Sequence, residues 1–139
     1  MKQSIIIDTN VICALYNRED SLYEKAQRVK PLFTEYKPVV SNFILVEIYT
    51  ILSQRVSKKF SIEFGENIDR DRVFTVVWIN RKLEKDVWSI FASIKDKNFS
   101  YVDASILAVM KKEKIKHLLS FDAGFEGIQE QFRFKLIGS

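Results

Sequence analysis

Two short apolar runs that stop at an acid constrain this chain more than any other feature. Ile5-Ile6-Ile7 ends at Asp8, and Leu118-Leu119-Ser120-Phe121 ends at Asp122. Apolar runs without alternation belong to strands covered on both faces, the habit of parallel sheets. Val39-Val40-Ser41 reads as another such strand, Phe74 to Ile79 as a third because β-branched and aromatic residues fill it, and Phe132 to Ile137 as the last. Between the strands the spacing turns helical. Thr9-Asn10 can cap a helix through about Tyr16, Asp20-Ser21 opens a second that Pro31 is placed to kink, and Asn42 can cap a long one to about Val56. Further helices are expected over Ser61 to Arg72, over Arg81 to Lys95 with Val87, Trp88, Phe91 and Ile94 turned inward, and over Ser100 to Lys114. Strands alternating with helices predict an α/β fold with a mostly parallel sheet covered on both faces, whose ligands bind at the carboxyl ends of the strands. Asp8 and Asp122 fall at those ends. At 139 residues the whole chain, 1–139, is expected to form a single domain.

Two further acids sit where helical spacing is apolar. The neighbours of Glu47 at three and four residues are Phe43, Ile44, Thr50 and Ile51, and no Arg or Lys shares that face until Arg55, two turns on. Asp103 shares its side of a helix with Phe99, Ile106, Leu107 and Met110. Each acid has an ordinary alternative when taken alone. Asp8 and Asp122 suit a cap or a strand-end turn, and Ser100-x-x-Asp103 suits a capping box. Four acids directed to one end of one parallel sheet are harder to explain singly. A buried carboxylate costs several kcal/mol, roughly, unless it is protonated, paired or metal-bound.

The rest of the composition narrows the chemistry. Cys13 is the only cysteine, which excludes an intramolecular disulfide and a cysteine-based zinc cage, and its position reads as a small hydrophobe packed in a helix. His117, the only histidine, opens an apolar strand, so a Ser/His/Asp or Cys/His machine has nothing to be built on. Oxygen-only carboxylate clusters suit Mg²⁺ or Mn²⁺, which lower the pKa of bound water and neutralise phosphate charge during in-line displacement. Metal-assisted phosphodiester hydrolysis is the reaction class these residues support. Lys and Arg number 22 against 18 acids, and setting four acids aside for a site leaves 14, a modest bias toward an anionic polymer. The basic clusters Arg55 to Lys59 and Lys111 to Lys116 follow predicted helices, where cations complement the dipole, so phosphate tracking competes with a plain solvated face. No apolar run reaches membrane-spanning length, no membrane role is expected, and the amino-terminal stretch is too short for a signal peptide; a cytoplasmic location is the expectation.

Ile6-Ile7-Asp8-Thr9-Asn10-Val11, Ser41 to Glu47, Phe99 to Ser105 and Leu119 to Phe125 resemble, in order and spacing, the PIN domain family, and particularly its short toxin ribonucleases of VapBC type. The resemblance implies a three-layer α/β/α fold and an Mg²⁺- or Mn²⁺-dependent endoribonuclease. Carried over by position, it implies metal-binding and catalytic roles for Asp8, Glu47, Asp103 and Asp122, with Asn10 and Ser120 as polar support. It also implies a homodimer held in check by a cognate antitoxin. Gly124 stands where many relatives have a further Asp, which puts a fifth acid and a second ion in doubt, and 57–98 carries no recognisable family motif. A stand-alone PIN nuclease of RNA maturation or turnover and a catalytically silent RNA-binding module are the alternatives. A phosphatase wants a second Asp where Asn10 stands, and a receiver wants an acidic pair that is missing.

Overall fold

The computed structural model describes all of residues 1–139. Five strands form one sheet: β1 (Ser4–Ile7), β2 (Lys37–Ser41), β3 (Thr75–Val77), β4 (His117–Leu119) and β5 (Lys135–Ile137). The helices are α1 (Thr9–Tyr16), α2 (Tyr23–Val29), α3 (Leu32–Glu35), α4 (Asn42–Arg55), α5 (Lys58–Asp71), α6 (Arg81–Ser93), α7 (Tyr101–Glu113) and α8 (Gln129–Phe132), with a 3₁₀ turn over Ala123–Ile128. The strand order is β3-β2-β1-β4-β5 and every pairing is parallel. The chain therefore starts at the centre, builds outward through β2 and β3, and returns to add β4 and β5 on the other side. The order reverses between β1 and β4, and a crevice opens at their carboxyl ends for that reason.

The expected central strands are the observed ones. Ile5, Ile6, Ile7, Leu118 and Leu119 are fully buried, as a strand covered on both faces requires. Helix α7 is buried from Ala104 to Met110, apolar on nearly all sides because it lies within the core rather than along its surface. Registration matters most for the site. Ile6 pairs with Leu118 and Ile7 with Leu119, so the next residues, Asp8 and Ser120, leave the sheet side by side.

Several local expectations are corrected. The cap of α1 is Asp8, whose side chain accepts from the Thr9 amide, not Thr9 or Asn10. The cap of α4 is Ser41, not Asn42. The Asn42 amide instead accepts from Ile79 N–H at 2.7 Å and donates to the Ile79 carbonyl at 3.4 Å, which ties α4 to the end of the β3 segment. Helix α5 begins earlier than Ser61, because Ser57 caps it. Trp88 is exposed rather than inward: Val87 takes the buried seam of α6, and one residue further round the helix the indole leans on Phe91 and Tyr101 at ring distances of 6.1 and 6.4 Å. Pro31 ends α2, and the chain restarts as α3. No helix is long and apolar enough to cross a membrane.

Candidate active site

Asp8, Glu47, Asp103 and Asp122 line one cleft of about 470 Å³ at the carboxyl edge of the sheet, together with Asn10. They arrive from four elements, the ends of β1 and β4 and the helices α4 and α7. Only Asp8 is buried in the strict sense, at 5% exposure; Glu47, Asp103 and Asp122 are half-buried. The expectation that Glu47 and Asp103 turn toward the core is thus corrected: both stand half-buried beside an opening, as Asp122 does, and only Asp8 lies at depth. As arranged, no three acidic, His or Cys side chains converge tightly enough to enclose an ion.

Asp8, Asp103 and Asp122 are each held by hydrogen bonds, partly from neighbouring residues and partly across the sheet. Asp8 Oδ1 accepts from Thr9 N–H at 2.8 Å, and Oδ2 accepts from the Ser120 hydroxyl at 2.7 Å. Ser120 Oγ in turn accepts from Asp122 N–H at 3.0 Å, and Asn10 Oδ1 accepts from Phe121 N–H at 3.2 Å. Ser120 and Asn10 therefore lock the loop after β4 onto the start of α1. Asp103 closes the capping box with Ser100, which occupies its Oδ2, so the ordinary alternative for this residue is realised as well. Asp122 Oδ1 accepts from Gly124 N–H at 2.8 Å. A Cβ at position 124 would stand 3.0 Å from that oxygen, so the glycine gives the carboxylate its room.

Electrostatics tie the four together. Burial pushes the Asp8 carboxyl up to about 7, helped by the charges of Asp103 and Glu47 and opposed by its bonds from Ser120 and Thr9. Asp103 is also raised, first by burial and then by Asp122 and Glu47, against the bonds from Ser100. Acids that perturb one another this way hold a site hungry for positive charge. Cys13 lines the same cleft, but burial and the nearby Glu47 push its thiol up to about 12, which leaves it inert. His117 stands at the opposite end of β4, packed on Tyr36 with ring centroids 5.0 Å apart.

The sequence reading missed two contributors to the lining, Asp20 and Arg55. Asp20 reads locally as a helix opener, and its carboxylate does accept from Leu22 N–H at 2.9 Å. Arg55 lies eight residues after Glu47, two turns along the same helical face, and that spacing was the available signal. With Asp20 the lining holds five acids against one Arg. Two larger grooves lie elsewhere. One of about 730 Å³ separates α4 from α5, and one of about 620 Å³ runs beside β3; neither contains a buried carboxylate.

The PIN domain profile matches residues 5–131. This chain belongs to the PIN domain family. Among its relatives, the 23S rRNA-specific endonuclease VapC20 of Mycobacterium tuberculosis is 31% identical over 123 residues, 87% of this chain and 91% of the relative. The crystal structure of VapC20, described as a sarcin-ricin loop cleaving toxin, superposes with a TM-score of 0.78 at 27% identity, covering 88% of this chain and 93% of that chain. The DNA-bound VapBC of Salmonella typhimurium superposes at 0.65 with 15% identity over 98% and 97% of the two chains, a likeness of fold alone. The three-layer architecture implied by the motifs is the one observed.

Proposed function

We propose that this PIN domain is an endoribonuclease that hydrolyses RNA phosphodiester bonds with Mg²⁺ or Mn²⁺, and that it acts as the toxin of a toxin–antitoxin pair. The observation that carries the reading is the cleft itself, where four carboxylates from four elements share one opening and the deepest holds its proton up to about pH 7. The donor set fits a hard cation, being all oxygen and strongly negative with a single Arg at its margin. Asp8, Glu47, Asp103 and Asp122 are the residues that would hold it, and a bound ion would supply an activated water and charge neutralisation at the phosphate. Ser120 and Asn10 serve as positioning residues, because each fixes the loop that presents Asp122. Membership of the family and identity to VapC20 favour catalysis over a silent RNA-binding module, and they make ribosomal RNA the first substrate to test.

Partners follow from charge and exposure. Five acids around one opening attract a guanidinium, so an antitoxin that presents Arg to the cleft would compete with the ion. Val46 and Trp78, which border one groove, and Trp88 on α6 are exposed at 65%, 69% and 61%, and we place the contact of a homodimer on these apolar side chains. Mass measurement of the native protein and of Trp88→Ser checks the dimer. RNA cleavage that stops with chelator and returns with Mg²⁺ or Mn²⁺ is the expected result; undiminished cutting in chelator refutes the metal mechanism. Harmless expression of the protein alone, with trimming of a defined precursor in vitro, would favour the stand-alone nuclease over the toxin.

A further inference from the structure

The sheet has a second charged edge, opposite the acids. A cation stands at or just before the start of every strand: Lys2 before β1, Lys37 in β2, Arg72 ahead of β3, Lys116 before β4 and Lys135 in β5. All five are exposed. Beside β4 this edge deepens into a pocket of about 360 Å³, lined by Lys111, Lys114, Lys116 and Arg133 with Gln131 and four apolar side chains, and by no acid at all. None of the four cations has a carboxylate within 4.0 Å, since the only ion pair in the protein is Arg70 with Asp71.

Helix dipoles account for part of this. Lys111 and Lys114 end α7 and Arg133 ends α8, where cations are ordinarily favourable. Lys116 lies outside both helices, in the short connection between the α7 cap and β4. Lys114 and Arg133 also occupy left-handed cap positions, φ 57 and 55, where Gly or Asn is the low-cost choice. Four like charges gathered without a counter-charge repel one another and make a ready seat for an anion. Its apolar residues, Ile90, Met110, Ile115 and Phe132, are all buried or half-buried, so none protrudes to enter a lipid surface. A concave cationic lining suits a phosphate anion instead.

We propose that this pocket is a second RNA-phosphate site, which holds a large structured substrate at a distance from the acidic cleft. The inference rests on the ribonuclease reading above. Asp103 and Lys114 lie eleven residues apart along α7 and its cap, roughly 16 Å at the helical rise, and Ser120 and Lys116 four apart along β4, roughly 13 Å. A ligand touching both edges spans at least about four base-pair rises. A short oligonucleotide reaches the cleft alone, whereas a folded RNA reaches both.

The test uses the full chain carrying Lys111→Gln, Lys114→Asn, Lys116→Gln and Arg133→Asn, with Asn chosen for the two left-handed positions. Binding of a ribosomal RNA transcript is measured in chelator, where cleavage is silent, across a salt series. The expected result is an affinity lower by about tenfold or more and a log–log salt slope shallower by about 3, as four lost phosphate contacts predict. With Mg²⁺, KM for the transcript rises while kcat for a short oligonucleotide is unchanged. The double variant Lys111→Gln with Lys116→Gln, which leaves both caps intact, should give about half the change in slope. Unchanged affinity and slope in a folded variant overturn the inference, and so does a loss confined to anionic phosphatidylserine vesicles. A native protein that cleaves nothing yet shows the cation-dependent binding refutes the ribonuclease reading and keeps the site.

Discussion

The two edges of the sheet are built from the same backbone and carry opposite charge. At the carboxyl edge, strand ends and helix starts supply acids whose oxygens are partly committed to amides and to Ser120. At the amino edge, strand starts supply long cations that the structure pairs with nothing. Connections at the first edge are tight turns with capping chemistry, so a side chain there has a fixed direction. At the second edge exposed Lys and Arg side chains end in solvent and keep their rotamer freedom. Chemistry needs the former and long-range attraction of a polyanion needs only the latter. The acid edge should therefore be intolerant of small changes and the basic edge tolerant of large ones.

The strongest way to break that contrast is to neutralise an acid. Asp8→Asn and Asp103→Asn keep shape and remove a charge, and each should lower RNA cleavage by about two to four orders of magnitude. Both variants should remain folded in urea titrations. A strong loss of stability with activity per folded molecule unchanged would reduce these acids to caps.

The next effect is on stability and has a definite sign. Asp8 keeps its proton to about 7 in the folded chain, against an ordinary value of 3.8. Between those values the folded state binds a proton that the unfolded state has released, so stability in metal-free buffer falls as pH rises through the window and levels off above it. The change should amount to a few kcal/mol at most, and Asp8→Asn should abolish it while raising stability at pH 8. Mg²⁺ should restore at pH 8 part of what ionisation costs. A flat profile between pH 4 and 7 would mean that Asp8 is not desolvated.

Gly124 probes the same rigidity on a finer scale. An added Cβ would come within 3.0 Å of Asp122 Oδ1. Gly124→Ala should displace the carboxylate and lower kcat by about tenfold, with the urea midpoint nearly unmoved. Substitution at the exposed Lys135 should leave kcat on a short oligonucleotide as it is.

How much of this was legible beforehand follows the same division. The buried strands announced themselves, because Ile5-Ile6-Ile7 and Leu118-Leu119 have no other place to go than a covered sheet. The order of the motifs identified the four acids, and all four line the cleft. Their depth was not legible, since helical spacing tells which face a residue occupies and says nothing of whether that face meets a core or an opening. Asn42 reads as a cap in sequence because caps are local, yet its partner lies 37 residues away at Ile79. The bond from Ser120 to Asp8 spans 112 residues and follows from strand register, which no local pattern encodes. Of the basic edge only the Lys111 to Lys116 cluster is legible in sequence; Lys2, Lys37, Arg72, Arg133 and Lys135 are scattered, and only the parallel topology gathers them.

The smallest expected effect lies at that edge. Arg72 caps α5 in the left-handed region with φ 48, and its side chain is exposed. An L side chain there carries a steric penalty of about 1 kcal/mol that glycine avoids, while glycine adds a smaller entropic cost through the unfolded chain. Arg72→Gly should therefore raise stability by roughly 0.5 kcal/mol, read as a higher urea midpoint at constant slope, and should leave cleavage of a short oligonucleotide untouched. A comparable gain from replacing a residue in the acid edge, with activity intact, would erase the difference between the two edges. A loss of stability on Arg72→Gly would show instead that the cations of the amino edge hold the fold together, and that their freedom from partners is only apparent.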